Sequence, residues 1–378
     1  MKLPLEGIKV LDLSRQLPGP FCSMMLADMG ADVLVVSAPG DLMGIGLTLI
    51  ARNKRSMTLN LKAPEGRDVF ARLARDADVV LEGFRPGVVA RLGVDYERLR
   101  RDNPRLVYCS LSGYGQTGPY RDLVGHDVNY LGYAGVVGLT GNDAGPALGG
   151  VQIADVGGGA LMATVGILLA LIARDRTGEG QLVDIAMLDG SVAWNVVHWL
   201  EYFTSGRAPE RGATTLTGAT PSYAIYECKD GKYLTIGALE GHFWRALCDK
   251  LGKPEFASRQ FPSSGEREEV FGFFRAKFKE KTRDEWIETF RGIDICVAPV
   301  NDLAEVENDP QVRARDMVVA LDTPRGKQKM LGVPIKLSAT PGSIRTPAPG
   351  LGQHTDDVMR HLGYAPGDIE RLRAAGVI

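Results

Sequence analysis

The sequence predicts an α/β fold, with a Rossmann-like parallel sheet in a large domain and a smaller α+β domain after it. Three observations lead to this prediction. Apolar strand patterns alternate with helix patterns over residues 8–109, a polar stretch with glycines interrupts the chain at 205–220, and a hairpin pattern with helices follows. A chain of 378 residues is long enough for two domains. Strands that alternate with helices pair in parallel, because each crossover helix returns the chain to the same end of the sheet.

The first half of the chain supplies the elements of the predicted sheet. Strand patterns occupy residues 8–13, 32–36, 78–81 and 105–109, and helix patterns occupy 21–29, 65–75 and 96–101. Beyond them we expect a helix at 156–174, a strand at 181–185 and a long helix at 188–204. The turn after the first strand has too few glycines for a dinucleotide fingerprint, which argues against NAD binding.

The predicted small domain covers residues 215–305. Strand patterns at 222–227 and 232–237 flank Asp230 and Gly231, a dipeptide typical of a tight hairpin turn. Helices are expected at 241–251, 266–279 and 282–290. The predicted large domain begins with residues 1–195, and the linkers are 196–214 and 306–319.

Composition and spacing exclude several classes of function. The net charge of −2 shows no basic excess, so we expect no nucleic-acid partner. The five cysteines lack a CxxC spacing and the histidines lack a ligand spacing, so neither a disulfide framework nor a metal site is expected. The amino-terminal residues lack the features of a secretory signal, and we expect a cytoplasmic protein.

An uncharged stretch, residues 156–173, has the length of a membrane span. Four glycines within it and the flanking charges of Asp155, Arg174 and Asp175 argue against a span. A helix that is apolar on all sides also suits the middle of a large core. We therefore expect a buried helix and no membrane span.

Two short motifs indicate acid–base chemistry. His126 stands between Gly125 and Asp127, and Asp155 opens a glycine run. A group that titrates near neutral pH and a carboxylate at a helix start are suited to act on opposite sides of one carbon, as a racemase requires. Alone, such a histidine is more often a surface residue and such an aspartate a plain N-cap, so the wider context decides between these interpretations.

That context is a resemblance that covers nearly the whole chain. Five strings resemble the class III coenzyme A transferase family: RNKRSMTLNLK (52–62), GFRPGV (83–88), GYGQTGPY (113–120), ECKDGKYLTIGALE (227–240) and LGQHT (351–355). Within it, GHDVNYL (125–131), ADVGGG (154–159) and Glu240 resemble the alpha-methylacyl-CoA racemase branch. Several separated motifs in the right order are more specific than any one of them. The resemblance implies two linkers, a return of residues 320–378 to the large domain, and an interlocked homodimer.

The resemblance also implies a reaction, the racemisation of 2-methylacyl-CoA thioesters by proton transfer at the carbon alpha to the carbonyl. His126 and Asp155 would serve opposite faces of an enolate, and Glu240 would orient the His126 ring. Asp127 would pair with His126 or with backbone amides near the enolate. An acidic role for Asp155 requires that burial raise its pKa, whereas an N-cap position would lower it. The glycines after Asp155 are expected to leave the backbone open to a reacting carbon or an oxyanion.

Recognition of CoA requires cations for its phosphates and a cleft for its adenine. Basic candidates are Arg52, Lys54, Arg55, Lys62, Arg85 and Arg91. Arg85 is the strongest, because it follows the strand at 78–81 at the edge where open sheets bind ligands. The family resemblance implies contacts at Leu59, Asn60, Leu61, Lys62, Gly83, Phe84, Arg85, Arg91, Gly125 and Tyr130, and Arg52 is added to them from the basic candidates. CoA is part of the substrate, so no separate cofactor is expected.

Two rival functions remain open on the sequence alone. In transferase members of the family, the residue at the position of Asp155 is a nucleophile that forms an acyl anhydride with the substrate. A non-catalytic acyl-CoA-binding protein is the other rival, because Ala38 stands where the family commonly has an arginine and cannot bind a phosphate. The acyl chain is undetermined. Candidates for an apolar wall around it, and equally for core filling, are Met24, Met25, Met43 and Met187.

Overall fold

The computed structural model describes residues 2–41, 48–142, 144–323 and 326–378, which group into two compact units. Unit 1 comprises the described residues of Met1–Val136, Gly150–Asn195 and Pro310–Ile378, and unit 2 those of Val137–Gly149 and Val196–Asp309. The carboxyl-terminal segment thus belongs to the same unit as the amino-terminal sheet. Residues 196–214, expected as a linker, belong to unit 2.

The described elements alternate between strand and helix in the first half of the chain. In chain order the strands are β1 (Lys9–Asp12), β2 (Asp32–Ser37), β3 (Lys54–Thr58), β4 (Val79–Glu82), β5 (Val107–Ser112), β6 (Gly141–Asn142), β7 (Gly145–Pro146), β8 (Leu182–Ala186), β9 (Tyr223–Glu227), β10 (Tyr233–Gly237), β11 (Val297–Pro299), β12 (Val318–Thr323) and β13 (Gly326–Leu331). The α-helices are α1 (Pro18–Asp28), α2 (Pro64–Arg75), α3 (Val88–Leu92), α4 (Tyr96–Leu99), α5 (Asp127–Tyr133), α6 (Val136–Leu139), α7 (Met162–Thr177), α8 (Met187–Trp194), α9 (Val196–Ser205), α10 (Gly241–Lys250), α11 (Arg267–Phe278), α12 (Arg283–Phe290), α13 (Leu303–Asn308), α14 (Pro310–Ala314), α15 (Thr355–His361) and α16 (Pro366–Ala374). A π-helical segment, Ala154–Leu161, leads directly into α7, and short 3₁₀ helices lie at Thr48–Ile50, Thr215–Thr217 and Pro254–Ser258.

Unit 1 is built on a six-stranded parallel sheet in the order β3-β2-β1-β4-β5-β8. This arrangement confirms the predicted α/β fold with a Rossmann-like sheet. From β1 the chain moves outward to β2 and β3, and it then crosses to β4, β5 and β8 on the other side. The connections that leave β1 and β4 therefore diverge, which opens a crevice at the carboxyl ends of these two strands.

Both faces of the sheet are covered, which explains the continuous apolar runs in its strands. Leu34 and Val36 of β2 pack in one core with α2, α15 and α16. The intervening Val33 and Val35 are also buried and face the opposite side, because side chains alternate along a strand. On that side α1 contacts β1 and β2, and α7 contacts β5 and β8.

Strand β3 was not expected from the sequence, because Lys54 and Arg55 break its apolar pattern. Lys54 is nevertheless buried, and its Nζ donates to the Pro20 carbonyl oxygen over 2.8 Å and to Ser23 Oγ over 2.7 Å. The carboxyl-terminal segment then reaches this part of the sheet. The Ser56 N–H donates to Nδ1 of His354 over 3.1 Å. Further along, the Asn60 N–H donates to the Val377 carbonyl oxygen over 2.7 Å.

Three helices differ in extent from their predictions. Helix α1 begins at Pro18 instead of residue 21, because a proline lacks the N–H that the first turn leaves unpaired. The helix predicted at 156–174 begins earlier, as the π-helical segment from Ala154. The helix predicted at 188–204 is divided into α8 and α9. Between them lies Asn195, whose Nδ2 donates to the Ala134 carbonyl oxygen over 2.9 Å.

The continuous helix Ala154–Thr177 is long and apolar enough to cross a membrane by length and composition, with a mean hydropathy of 2.2. Half of its most apolar stretch is buried inside the protein, against β5 and β8 among other elements. The core helix of a soluble protein passes the same test of length and composition. This helix is therefore weak evidence for a membrane span.

Unit 2 contains the predicted hairpin and helices. Strands β9 and β10 pair in antiparallel fashion, and β11 pairs with β10 on the other side. Gly231 in the hairpin turn has a φ of 75°, a conformation that favours glycine. Helices α10, α11 and α12 pack their aromatic side chains into one core with this sheet, including Trp244, Phe274 and Trp286.

Candidate active site

A cleft of about 920 Å³ opens at the carboxyl ends of β1, β4 and β5 in unit 1. We call it the large cleft. It lies at the divergence of the β1 and β4 connections, where open α/β sheets bind their ligands. Its lining comprises Ser14, Arg15, Gln16, Pro18, Gly19, Asp41, Gly83, Phe84, Arg85, Pro86, Leu111, Ser112, Gly113, Tyr114, Arg121, Leu123, Val124, Gly125, His126, Asn129, Tyr130 and Met187.

A second cleft of about 290 Å³, the small cleft, lies at the carboxyl ends of β2 and β3 in the same unit. It is lined by Leu13, Arg15, Val36, Ser37, Ala38, Leu59, Asn60, Leu61, Lys62, Phe84, Val88 and Leu92. Arg15 and Phe84 line both clefts, which therefore adjoin at these two residues. The predicted CoA contacts fall into one cleft or the other, except for Arg52 and Arg91.

Arg52 is a buried structural residue outside both clefts. Its guanidinium pairs with the Asp28 carboxylate over 2.6 Å and donates to the Leu331 carbonyl oxygen. Lys54 is held by Pro20 and Ser23, as described above. Arg55 pairs over 2.7 Å with Asp32, the first residue of β2, at the amino-terminal ends of β2 and β3, away from the clefts. These placements argue against the predicted role of all three residues in binding phosphate, because their charges are already paired or face away.

Arg91 lies on α3, beside the large cleft rather than in its wall. Its guanidinium and that of Arg121 both approach Gly87, within 3.6 Å of the position that a Cβ would take there. Arg121 lines the large cleft, and its buried Nε has no hydrogen-bond partner among the described residues. With Arg85, these residues make this side of the cleft cationic. Arg121 was not predicted, because it lies in a loop without a motif of its own.

His126 lies at the amino-terminal end of α5, with its side chain exposed at the wall of the large cleft. Its backbone N–H donates to Oδ1 of Asn129 over 3.0 Å, which closes the turn into the helix. Its neighbour Asp127 is the first residue of α5. The backbone at His126 is extended (φ −126°, ψ 176°), as is usual for the N-cap residue of a helix.

Asp155 lies in the first turn of the π-helical segment and is joined to Asp127. The Asp155 backbone N–H, one of the donors that a helix start leaves without an internal partner, donates to Asp127 Oδ1 over 3.0 Å. Burial and, secondly, the charge of Asp127 raise the pKa of the Asp155 carboxyl to about 6, while the nearby His126 lowers it. The structure thus brings His126, Asp127 and Asp155 together within unit 1. Asp155 itself is not part of the large-cleft wall.

Burial was expected to raise the pKa of Asp155 and an N-cap position to lower it, and the place of Asp155 in the helix decides between these effects. The preceding Ile153, not Asp155, is the N-cap residue of the π-helical segment, and this end has no side-chain cap. The Asp155 carboxylate therefore lacks the capping hydrogen bond that would have lowered its pKa. Burial and the neighbouring Asp127 charge therefore raise this pKa. Short π-helical segments occur frequently at functional sites.

The glycine run after Asp155 is closed, contrary to expectation. A Cβ on Gly158 would lie 2.6 Å from the Met187 carbonyl oxygen, and one on Gly190 would lie 2.4 Å from the Gly158 Cα. These glycines allow the π-helical segment and α8 to pack with their backbones in contact. They do not leave an opening for a reacting carbon or an oxyanion.

Two tyrosines line the same cleft as the histidine: Tyr130, an expected CoA contact, and Tyr114, which the sequence did not single out. Tyr130 lines the large cleft, and its hydroxyl donates to the Gly125 carbonyl oxygen over 2.5 Å. Its ring packs edge-to-face on Tyr114, with centroids 5.1 Å apart. Burial, and then the charge of Asp155, raise the pKa of Tyr130 to about 12, so its hydroxyl is protonated at neutral pH. These rings fix the loop that carries His126.

The loop after β4 is held by a second titratable carboxyl. Glu82 is buried, and its Oε2 accepts the Phe84 backbone N–H over 2.8 Å. Burial raises the pKa of Glu82 to about 7. The hydrogen bond positions Phe84 and the following Arg85 at the mouth of the large cleft.

The remaining predicted residues, Glu240 and the four methionines, have distinct surroundings. Glu240 lies in unit 2, exposed, as the residue before α10, and Gln260 Nε2 supports its turn by donating to the Leu239 carbonyl oxygen over 2.6 Å. Met187 lines the large cleft, whereas Met24 and Met25 are buried together in the core. Met43 lies outside the described residues.

The site in unit 1 thus offers two separate proton carriers and an elongated ligand groove. His126 adjoins Asp127, whose carboxylate accepts the Asp155 N–H, and the pKa of the Asp155 carboxyl is raised to about 6. The two clefts provide room for a ligand longer than either one. Arg85 and Lys62 supply positive charge along it.

Comparison with known proteins gives consistent results. A family profile described as CoA-transferase family III matches residues 5–355. The chain is 36% identical to the alpha-methylacyl-CoA racemase of Homo sapiens, over 100% of this chain and 98% of that protein. It is 33% identical to the succinyl-CoA:glutarate CoA-transferase of Mus musculus, over 99% of this chain and 90% of that protein. The crystal structure of a CAIB/BAIF family protein from Brucella suis superposes with a TM-score of 0.83 at 32% identity, covering 96% of this chain and 100% of that one.

Proposed function

This chain belongs to CoA-transferase family III, and from that premise we propose that it racemises 2-methylacyl-CoA thioesters at the carbon next to the carbonyl. The proposal depends on one observation above all. Within unit 1 the Asp155 carboxyl has a pKa of about 6 and lies close enough to His126 for the imidazole to influence that pKa. Two titratable groups of this kind are what a two-base proton transfer requires.

The reaction needs three things from the protein. The hydrogen on the carbon alpha to a thioester is weakly acidic, so a base must contact it on one face and an acid must deliver a proton on the other. The enolate oxygen that forms between the two steps must be stabilised. Replacing the proton on the opposite face then inverts the configuration.

In this mechanism His126 acts on one face of the carbon alpha to the carbonyl, and Asp155 acts on the other face. In one direction the ionised Asp155 removes the proton and a protonated His126 supplies one, and in the other direction their roles exchange. A pKa of about 6 leaves Asp155 mostly ionised at neutral pH and accessible in its acid form. Asp127 raises that pKa and fixes the Asp155 backbone through its 3.0 Å hydrogen bond. The role of Glu240, which lies in unit 2, stays a prediction from the family resemblance.

The CoA part of the substrate is proposed to occupy the two clefts. Its thioester end would lie in the large cleft at His126, and its nucleotide end in the small cleft at Leu59 and Lys62. Arg85 would bind phosphate from the loop after β4. Met187 would contact the acyl group, since a flexible thioether side chain suits a variable apolar ligand.

We also propose that the chain acts as an interlocked homodimer. Helix α7 exposes Val165, Leu169 and Ile172, which share one face because they are spaced by four and three residues. An apolar face of this kind is typical of an interface. Light scattering coupled to size exclusion would give twice the mass of the chain if the proposal holds, and a single-chain mass would contradict it.

A CoA-transferase is the main alternative, because transferases are among the similar proteins. There Asp155 would attack an acyl-CoA and form a mixed anhydride, with CoA as the leaving group, and an acceptor acid would be required for turnover. That chemistry has no need for His126. The presence of the imidazole beside Asp155 supports racemisation instead.

Isotope exchange separates the functions. The protein is incubated in deuterated water with 2-methylacyl-CoA and no acceptor acid, and deuterium at the 2-position is followed by mass spectrometry. A racemase incorporates deuterium under these conditions, a transferase transfers CoA only when an acceptor acid is added, and an acyl-CoA-binding protein does neither. A panel of 2-methylacyl thioesters then defines the acyl chain.

A further inference from the structure

We propose that Arg15 binds the diphosphate of CoA at the junction of the two clefts, and that Asp41 holds the guanidinium when no ligand is present. The inference rests on the proposed function only in taking the ligand to be a CoA thioester. It assigns a phosphate ligand in a chain that has Ala38 where the resemblance implies an arginine.

The position of Arg15 is the first argument. Arg15 and Phe84 are the residues that line both clefts among those described. A ligand whose thioester lies near His126 and whose nucleotide lies near Leu59 must pass this junction. In CoA the diphosphate connects the nucleotide to the pantetheine arm, so the diphosphate is the part that lies there.

The distribution of charge is the second argument. Among the described residues that line the small cleft, the cations are Arg15 and Lys62. The end of β2 contributes Ser37 and Ala38, which carry no charge. A guanidinium presents a planar fork of donors that matches two phosphate oxygens, and no other guanidinium lines the described part of the small cleft.

The loop that carries Arg15 is built on a buried network, which is the third argument. Asp12, at the end of β1, accepts the Ser14 N–H over 2.8 Å and also accepts the hydroxyls of Ser14 and Ser23. Gln16 has a φ of 65°, a conformation that is strained for a residue other than glycine. Backbone strain of this kind persists where the surrounding structure holds it, and it is concentrated at ligand sites. The network therefore fixes the backbone from which the exposed Arg15 side chain projects.

The contacts that Arg15 makes in this structure are ones that a ligand can replace. Its guanidinium carbon lies over the Phe84 ring, 5.7 Å from the centroid, and its NH2 pairs with Asp41 over 2.6 Å. The Arg15 side chain is 47% exposed. The Asp41 side chain is 16% exposed. Because solvent reaches the guanidinium, a doubly charged diphosphate can compete with the carboxylate for it.

Binding of CoA itself to the full-length chain tests the assignment by titration calorimetry. Arg15→Ala should weaken CoA binding by about tenfold or more, the loss typical of a charge-assisted hydrogen bond. Arg100→Ala is a matched control, because Arg100 lies 5.7 Å over Tyr96, pairs with Glu97 over 2.8 Å and lies outside both clefts. It should leave CoA binding unchanged. Equal affinities for the Arg15→Ala variant and the unmodified chain would overturn the proposal.

Two further measurements distinguish the diphosphate from the 3′-phosphate and from a structural role. The loss caused by Arg15→Ala should be the same with 3′-dephospho-CoA, and its disappearance with that ligand would assign Arg15 to the 3′-phosphate instead. Asp41→Asn should tighten CoA binding, because it removes a competing carboxylate, and this gain should vanish when Arg15 is also replaced. A weaker or unchanged affinity in Asp41→Asn would contradict the role given to Asp41. Absence of isotope exchange in the unmodified chain would refute the proposed racemase while leaving these binding results intact.

Discussion

The backbone N–H of Asp155 donates to Oδ1 of Asp127 over 3.0 Å, which joins the first turn of the π-helical segment to the first turn of α5. This bond places two carboxylates near each other and near His126. Like charges in a partly desolvated site resist ionisation, and the pKa of Asp155 rises to about 6 as a result of burial and of this neighbour. The contact between Asp127 and Asp155 therefore both positions the Asp155 backbone and contributes to the raised pKa of the Asp155 carboxyl.

Replacement of Asp127 by asparagine should lower the pKa of Asp155. Asparagine keeps an oxygen that can accept the Asp155 N–H but removes the second negative charge. The pH dependence of deuterium incorporation should therefore shift to lower pH on its acid limb, relative to a value near 6. Asp127→Ala, which also loses the hydrogen bond, should lower the rate itself. An Asp127→Asn profile identical to that of the unmodified chain would show that Asp127 does not act through its charge.

Replacement of His126 by alanine should reduce deuterium incorporation at least about a hundredfold, the usual effect of removing a general acid or base. Affinity for acyl-CoA should change little, because the imidazole is exposed at the cleft wall and no predicted phosphate contact depends on it. His361→Ala is a suitable control, since His361 lines a different cavity at the amino-terminal ends of the strands. Full activity in His126→Ala would remove this residue from the mechanism.

Asp155→Asn should abolish turnover and at the same time stabilise the protein at alkaline pH. The folded-state pKa of Asp155, about 6, lies above its ordinary value of 3.8. The folded protein therefore binds more protons than the unfolded chain between these values, and stability falls as pH rises through this window and stays lower above it. Asparagine does not ionise, so this loss of stability is absent in the variant. The melting temperature of Asp155→Asn should exceed that of the unmodified chain at pH 8 but not at pH 3.5, and the reverse order would contradict the raised pKa.

Arg52 and Arg85 should behave in opposite ways. Arg52→Ala leaves Asp28 buried without its partner and should lower the free energy of unfolding by about 3–5 kcal/mol, as measured in urea. Arg85→Ala should leave that free energy nearly unchanged, since Arg85 lies at a cleft mouth, and should weaken CoA binding more than it slows catalysis. If Arg52→Ala weakened CoA binding without lowering the free energy of unfolding, Arg52 would belong to the ligand site after all.

Most of the sheet could be predicted from the sequence, because strands buried on both faces are nearly uninterrupted apolar runs. Strand β3 could not, since Lys54 is a buried cation whose partners, Pro20 and Ser23, come from another element. Pairings such as Asn60 with Val377 join distant parts of the chain and leave no periodic signal. The carboxyl-terminal return was expected only through family resemblance.

The same limit applies to the candidate site. His126 and Asp155 stood out because their motifs are local. The direction of the shift in the Asp155 pKa could not be predicted, since burial and an N-cap position would shift it in opposite directions. The closed packing of Gly158 on α8 was not predicted either, since it depends on a contact between two helices. Arg15 carries no motif. The rule that ligands bind at the carboxyl ends of strands could have indicated it, but from the sequence that rule was applied to Arg85 alone.

The central claim, that two groups exchange a proton across one carbon, is tested most directly with a single enantiomer. A pure 2-methylacyl-CoA stereoisomer is incubated in deuterated water until only a small fraction of it has been converted. The two stereoisomers are then separated, and the mass of each is measured by mass spectrometry. The account predicts that the inverted product carries one deuterium at the 2-position while the remaining substrate keeps its hydrogen. Inversion without deuterium, or no inversion until an acceptor acid is supplied, would contradict it.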